Sequence, residues 1–183
     1  KRQVYYEYLI VKRAGLSSEK DFLTNFEGNI NAVENNPGRK VQSLTQASYS
    51  TWSDGPFGNS GAGKNQTISV YDKGPVVGLF LDFAIRNATQ NQKSLDDVMR
   101  QLYFYYYREL ERGFTDAEFQ ATCETIAGTP LTELFEYVST TKELDYNKYL
   151  GFAGLQLSGA SDSNSGEKVI FKIKRTENPG LLQ

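Results

Sequence analysis

A mainly α-helical bundle with a short β-hairpin near its C-terminus is the fold class this sequence predicts. Three observations carry that expectation. Apolar residues recur three or four apart through most of the chain, helix-start boxes punctuate it, and period-two alternation appears only near the end. At 183 residues the chain can bury a sizeable core as one domain. Its 13% aromatic content, mostly Tyr and Phe, predicts a core of large rings whose hydroxyls need partners.

The elements follow in order. Val4 to Ala14 reads as a first helix, stopped by Gly15. Ser17 or Ser18 caps a second, with Phe22, Leu23, Phe26, Ile30 and Val33 at helical spacing, and Asn35-Asn36-Pro37-Gly38 ends it. Leu44 to Trp52 predicts a short helix. From Ser53 to Gln66 a Gly-rich stretch predicts a long loop. Within it Gly61-Ala62-Gly63-Lys64 lacks the spacing and the Ser/Thr of a phosphate loop.

Pro75 suits a helix's first turn, where its missing N–H costs nothing. Val76, Val77, Leu79, Phe80, Phe83 and Ala84 then cover most of the circumference, which predicts a central, buried helix. Ser94 to Asp97 is a capping box. It opens a helix with Leu95, Val98, Met99, Leu102, Tyr103 and Tyr106 on one stripe. Thr115 to Glu118 is another, leading to Phe119, Cys123 and Ile126 with Gly128 as the stop. Thr129-Pro130 starts the next helix, with Leu131, Leu134, Phe135 and Val138 inward, and Asp145 caps a short one through Leu150. Gly159 to Gly166 reads as a polar linker or turn between Gly154–Leu157 and Lys168–Lys174, a candidate hairpin.

Composition excludes several functions. A net charge of −2, with Lys and Arg interspersed among acids, gives no electrostatic case for nucleic acid or an anionic membrane. No stretch approaches the roughly 20 apolar residues of a membrane span. Cys123, the single cysteine, forms no intrachain disulfide, and beside Ala121, Thr122 and Glu124 it reads as structural. Lack of disulfides fits the cytoplasm and the periplasm alike. With no histidine and one cysteine, the chain offers neither a Ser-His-Asp nor a Cys-His site, and no set of ligands for a catalytic zinc. Asp96 and Asp97, or Glu109 and Glu111, are acids at helix ends, which read as caps before they read as a catalytic pair. The run Tyr103 to Tyr107 reads as core packing ahead of a stacking platform.

Tyr71-Asp72-Lys73-Gly74-Pro75, the apolar helix through Arg86, and Ser94 to Arg100 together resemble the glycyl aminopeptidase family of zinc metallopeptidases. That family belongs with the thermolysin-like enzymes, which use an HExxH helix and a downstream Glu. Val4 to Leu16 resembles the family's helix after the glutamate ligand. Asn36 to Arg39, Gln42 to Leu44, Ala47-Ser48 and Trp52 are similar to the stretch before the catalytic tyrosine. Gly113 to Thr115, Ala127-Gly128 and Asp145 through Leu155 continue the likeness.

The resemblance implies that residues 1–157 are the C-terminal helical lobe of the catalytic domain. Residues 158–183 would be a linker and β tail, without the PDZ-like domain the family commonly carries. It implies Tyr71 as the catalytic residue, hydrogen-bonding the oxyanion. It implies zinc in the full-length protein, with the metal ligands upstream of Lys1, where this chain opens already in helical register, and none within it; Glu7 lies too far along to serve. The implied activity is release of small N-terminal residues, Gly or Ala, from a peptide substrate, with this portion inactive alone. The implied partners are the missing N-terminal part of the domain and, through an exposed lobe face, a second copy. A different class of function stays open: a non-catalytic helical module in which Tyr71 and the 53–66 loop recognise a peptide, or in which Tyr71 is merely structural.

Overall fold

The computed structural model describes residues 3–54, 66–161 and 168–177. The predicted 53–66 loop and the Gly61–Lys64 segment lie almost wholly outside the described residues. The fold is a helical bundle with a two-stranded antiparallel hairpin after it, as the periodicity predicts. Helix α1 (Gln3–Arg13) is followed by α2 (Glu19–Glu34), which Ser18 opens with a reciprocal capping box to Asp21. A 3-10 turn over Pro37–Lys40 takes the place of a simple turn, with the Asn36 side chain accepting from the Gly38 N–H. The helix predicted over 44–52 is two: α3 (Leu44–Tyr49) and α4 (Thr51–Asp54), separated at Ser50.

Helix α5 (Val70–Ala88) is the axis of the fold, packed against α1, α2 and α3 and against the helices that follow it. It begins five residues before Pro75, with Ser69 as its cap, so Pro75 lies inside the helix and not in its first turn. Gly78 is where α1 crosses it: a Cβ there would stand 3.0 Å from the Cβ of Tyr5. Phe80, wholly buried, stacks on Tyr149 at 4.8 Å and meets Tyr146 edge-on at 5.7 Å. Burying a ring of that size contributes about 1.5–3 kcal/mol.

Helix α6 (Leu95–Gln101) runs into a π-helix over Leu102–Glu109. The wider turn redirects the aromatic run. Leu102 and Tyr106 point into the core, while Tyr103, Phe104, Tyr105 and Tyr107 are exposed. Tyr103 and Tyr107 stack on each other outside, 5.4 Å apart. The expectation that Tyr103, Tyr106 and Tyr107 turn partly inward therefore holds for Tyr106 alone, because it rests on α-helical pitch. Helix α7 (Asp116–Ala127) carries the predicted capping box and ends on Gly128 at φ 68°, a left-handed residue. Cys123 is buried within it. Helix α8 (Thr132–Ser139) starts later than Thr129-Pro130, because the Glu124 carboxylate accepts the Leu131 N–H and holds the chain out of the helix until there. Asp145 caps α9 (Tyr146–Gly151) as expected.

Four buried or half-buried tyrosines find carboxylates. Tyr5 donates to Asp82 at 2.8 Å, Tyr6 to Asp96 at 3.0 Å, Tyr146 to Glu34 at 2.8 Å and Tyr149 to Glu133 at 2.9 Å. Burial first, and then the neighbouring carboxylate, pushes each of these phenols upward, so they remain neutral donors. The paired acids thus have structural duties: Asp96 binds Tyr6 and Arg13, and Asp97 caps α6 through Ser94.

Strands β1 (Leu155–Ser161) and β2 (Val169–Arg175) pair antiparallel, Leu155 opposite Arg175 and Ser161 opposite Val169. Residues 159–161, read as linker, belong to β1, and the rest of that linker lies outside the described residues. The outer edge of β2 is closed by a helix. Asn31 exchanges hydrogen bonds with the Phe171 backbone at 2.8 and 2.9 Å, and Asn35 with Val169 at 3.1 and 2.9 Å. Glu27 accepts from the Ile173 N–H at 2.8 Å. Positions 27, 31 and 35 fall four apart on α2 and so present a strand-like row to the open edge. Replacing Asn31 and Asn35 together with Ala is expected to lower stability by about 2–4 kcal/mol. Faster amide exchange at Val169 and Phe171 should accompany it, and unchanged exchange at both would refute the account. Among the described residues no helix is long and apolar enough to cross a membrane.

Candidate active site

Tyr71 occupies the first turn of α5. Residues Lys73 through Asp82 of that helix are all buried, whereas Tyr71 is 41% exposed. The phenol therefore stands at the surface end of a rod fixed by the core. Its N–H is accepted by the Ser69 Oγ at 3.1 Å, and its C=O accepts from Asn29 Nδ2 at 3.3 Å. The helix start adds the positive end of the backbone dipole. A hydroxyl donor placed there suits negative charge developing on an adjacent oxygen.

The neighbours are polar but not metal-binding. Asp72, next in the turn, is pushed up by burial, while hydrogen bonds from Asn29 and Ser69 pull its carboxyl down. Tyr8 of α1 lies beside the same amide; burial raises its phenol and Asn29 opposes that. Lys73 points the other way, 2% exposed, and burial lowers its amine to about 8, with Glu34 opposing. Glu34 is itself held by Arg39 at 3.3 Å and by the Tyr146 hydroxyl. The lysine of the Tyr-x-Lys-Gly element is thus a core residue between α2 and α5, not a second group beside the phenol.

Among the described residues no group of three His, Cys, Asp or Glu side chains stands close enough to hold a metal ion. The described residues do not fit the zinc that the resemblance implies. An open cleft of about 280 Å³ lies at the far end of α5, lined by Asn87, Leu131, Glu133, Lys148 and Tyr149. Glu133 is committed there to Lys148 and Tyr149, and the cleft does not join the Tyr71 site.

Asn29 is the residue that sequence reasoning passed over. Two signals were available: a polar residue in the apolar register of Phe26, Ile30 and Val33, and a proline four positions after Tyr71.

Residues 3–77 match the model of the M61 glycyl aminopeptidase family. The resemblance read from the sequence holds over that stretch, which includes Tyr71. A solved structure, an aminopeptidase N family protein from Idiomarina loihiensis, shares the fold with a TM-score of 0.79 and 22% identity over 90% of this chain. This chain spans 28% of that protein's chain. No curated protein matches it.

Proposed function

We propose that this chain is the helical portion of a zinc-dependent aminopeptidase that releases Gly or Ala from peptide N-termini, with Tyr71 as its catalytic contribution. The family match over residues 3–77 is the premise. The observation that carries the reading is the placement of Tyr71: a half-exposed phenol at the start of a helix otherwise buried from Lys73 to Asp82. In this reading the phenol donates a hydrogen bond to the scissile carbonyl oxygen as that oxygen gathers charge. The donor is held before the substrate arrives, which is what makes such a bond effective in the transition state. The metal's ligands belong to residues outside this chain.

The test compares the 183 residues given with the full-length polypeptide. Metal content is measured on each, and hydrolysis of glycyl- and alanyl-4-nitroanilide is followed. The expected result is neither bound zinc nor turnover in the shorter protein, and chelator-sensitive turnover in the longer one. Zinc-dependent hydrolysis by residues 1–183 alone would overturn the division of labour. A full-length protein that binds peptides without cleaving them would favour the recognition module instead.

A further inference from the structure

The backbone of Tyr71 is held on both sides, and one of the holds comes from outside its helix. In an uninterrupted helix the Tyr71 carbonyl would accept the N–H of residue 75. Residue 75 is a proline inside α5 and has no N–H. Asn29 Nδ2 reaches across from α2 and donates to that carbonyl at 3.3 Å in its place. Asn29 is only 7% exposed, and its Oδ1 finds no hydrogen-bond partner among the described residues. A buried acceptor left unmet is costly. Packing alone therefore does not account for an amide among Phe26, Ile30 and Val33.

We propose that Asn29 is a positioning residue for Tyr71, supplying from α2 the hydrogen bond that Pro75 removes from α5 and so fixing the direction of the phenol. The proposal rests on the reading of Tyr71 as the oxyanion donor. Its physical content is that the first turn of α5 is registered against α2 and not only against its own helix. The Ser69 Oγ steadies the Tyr71 N–H at 3.1 Å, and Asn29 steadies the carbonyl. Loss of one anchor lets the turn shift, and misplacement of a catalytic group by about 1 Å costs on the order of a hundredfold in rate.

Two substitutions separate this role from plain packing. Asn29→Leu removes the donor at similar volume, and Pro75→Ala returns an N–H to α5. In the full-length protein Asn29→Leu is expected to lower kcat about tenfold with KM changed by less than about twofold. The Asn29→Leu, Pro75→Ala double variant is expected to recover most of that loss. A second readout needs no turnover. In the 183-residue chain carrying 3-fluorotyrosine, the fluorine resonance of Tyr71, assigned by its disappearance in Tyr71→Phe, should shift in Asn29→Leu and return in the double variant.

A double variant no better than Asn29→Leu in either readout overturns the proposal. So does a kcat for Asn29→Leu within about twofold of the parent while Tyr71→Phe is strongly impaired; that outcome leaves the reading of Tyr71 standing. A Tyr71→Phe enzyme near the parent's rate instead overturns the functional reading, and the catalytic half of this proposal with it. Should Asn29→Leu not fold, Pro75→Ala alone decides. The new N–H competes for the Tyr71 carbonyl, so the side-chain amide resonances of Asn29 should move, and unmoved resonances overturn the proposal.

Discussion

Tyr71→Phe in the full-length protein is expected to lower kcat by roughly a hundredfold or more, with little change in KM. The substitution removes one hydroxyl and leaves the ring. Because that ring is 41% exposed at the end of α5, the core that sets the helix is untouched and the fold should persist. A hydrogen bond that strengthens only as the carbonyl oxygen becomes negative is lost from the transition state and hardly from the bound substrate. That is why the effect should fall on kcat. A loss below about threefold would return Tyr71 to a structural role. Thermal unfolding of the variant, measured alongside, separates lost chemistry from lost structure.

Asp82→Ala should have the largest effect on stability, about 3–5 kcal/mol, measured by urea unfolding. One buried carboxylate joins three elements. It accepts from the Tyr5 hydroxyl of α1 at 2.8 Å, from Arg86 Nε one turn on in α5 at 2.8 Å, and from the Leu95 N–H at the start of α6 at 2.7 Å. Removing it leaves a buried phenol, a helix-start N–H and the Nε of a partly buried guanidinium unmatched at once, the guanidinium keeping only Asn91 among the described residues. Asp82→Asn keeps one acceptor oxygen but places an amide against donors, so it should lose less than Ala and more than a surface change. Equal stability of Asp82→Ala and the parent would show that the three donors find other partners. The knot also sets α1 against α5.

The helices were largely legible because their signals are local. Ser18, Thr115 and Asp145 cap where their side chains can reach the next turn, and Gly128 ends α7 by its own backbone freedom. The structure departs from the periodicity where the chain leaves α-helical geometry: Glu124 takes the Leu131 N–H ahead of α8, and the π-turn swings Tyr103 and Tyr107 outward. Pro75 reads as a helix start because nothing nearby in sequence announces that a side chain of another helix will reach the Tyr71 carbonyl. The edge-capping row Glu27, Asn31 and Asn35 was invisible for the same reason: its partners lie more than a hundred residues away.

The class of fold, the central apolar helix, the hairpin and the short motif around Tyr71 are legible in the sequence alone. Those follow from periodicity, caps and a short motif, which depend on residues within a turn or two of one another. What surrounds that tyrosine depends on packing. It put Lys73 into the core and brought Asn29 to the Tyr71 carbonyl. It also left the phenol at the surface end of a buried rod. Burial and hydrogen bonding between α2 and α5 are set by packing across 42 positions of chain, and no local pattern encodes which side chain will arrive.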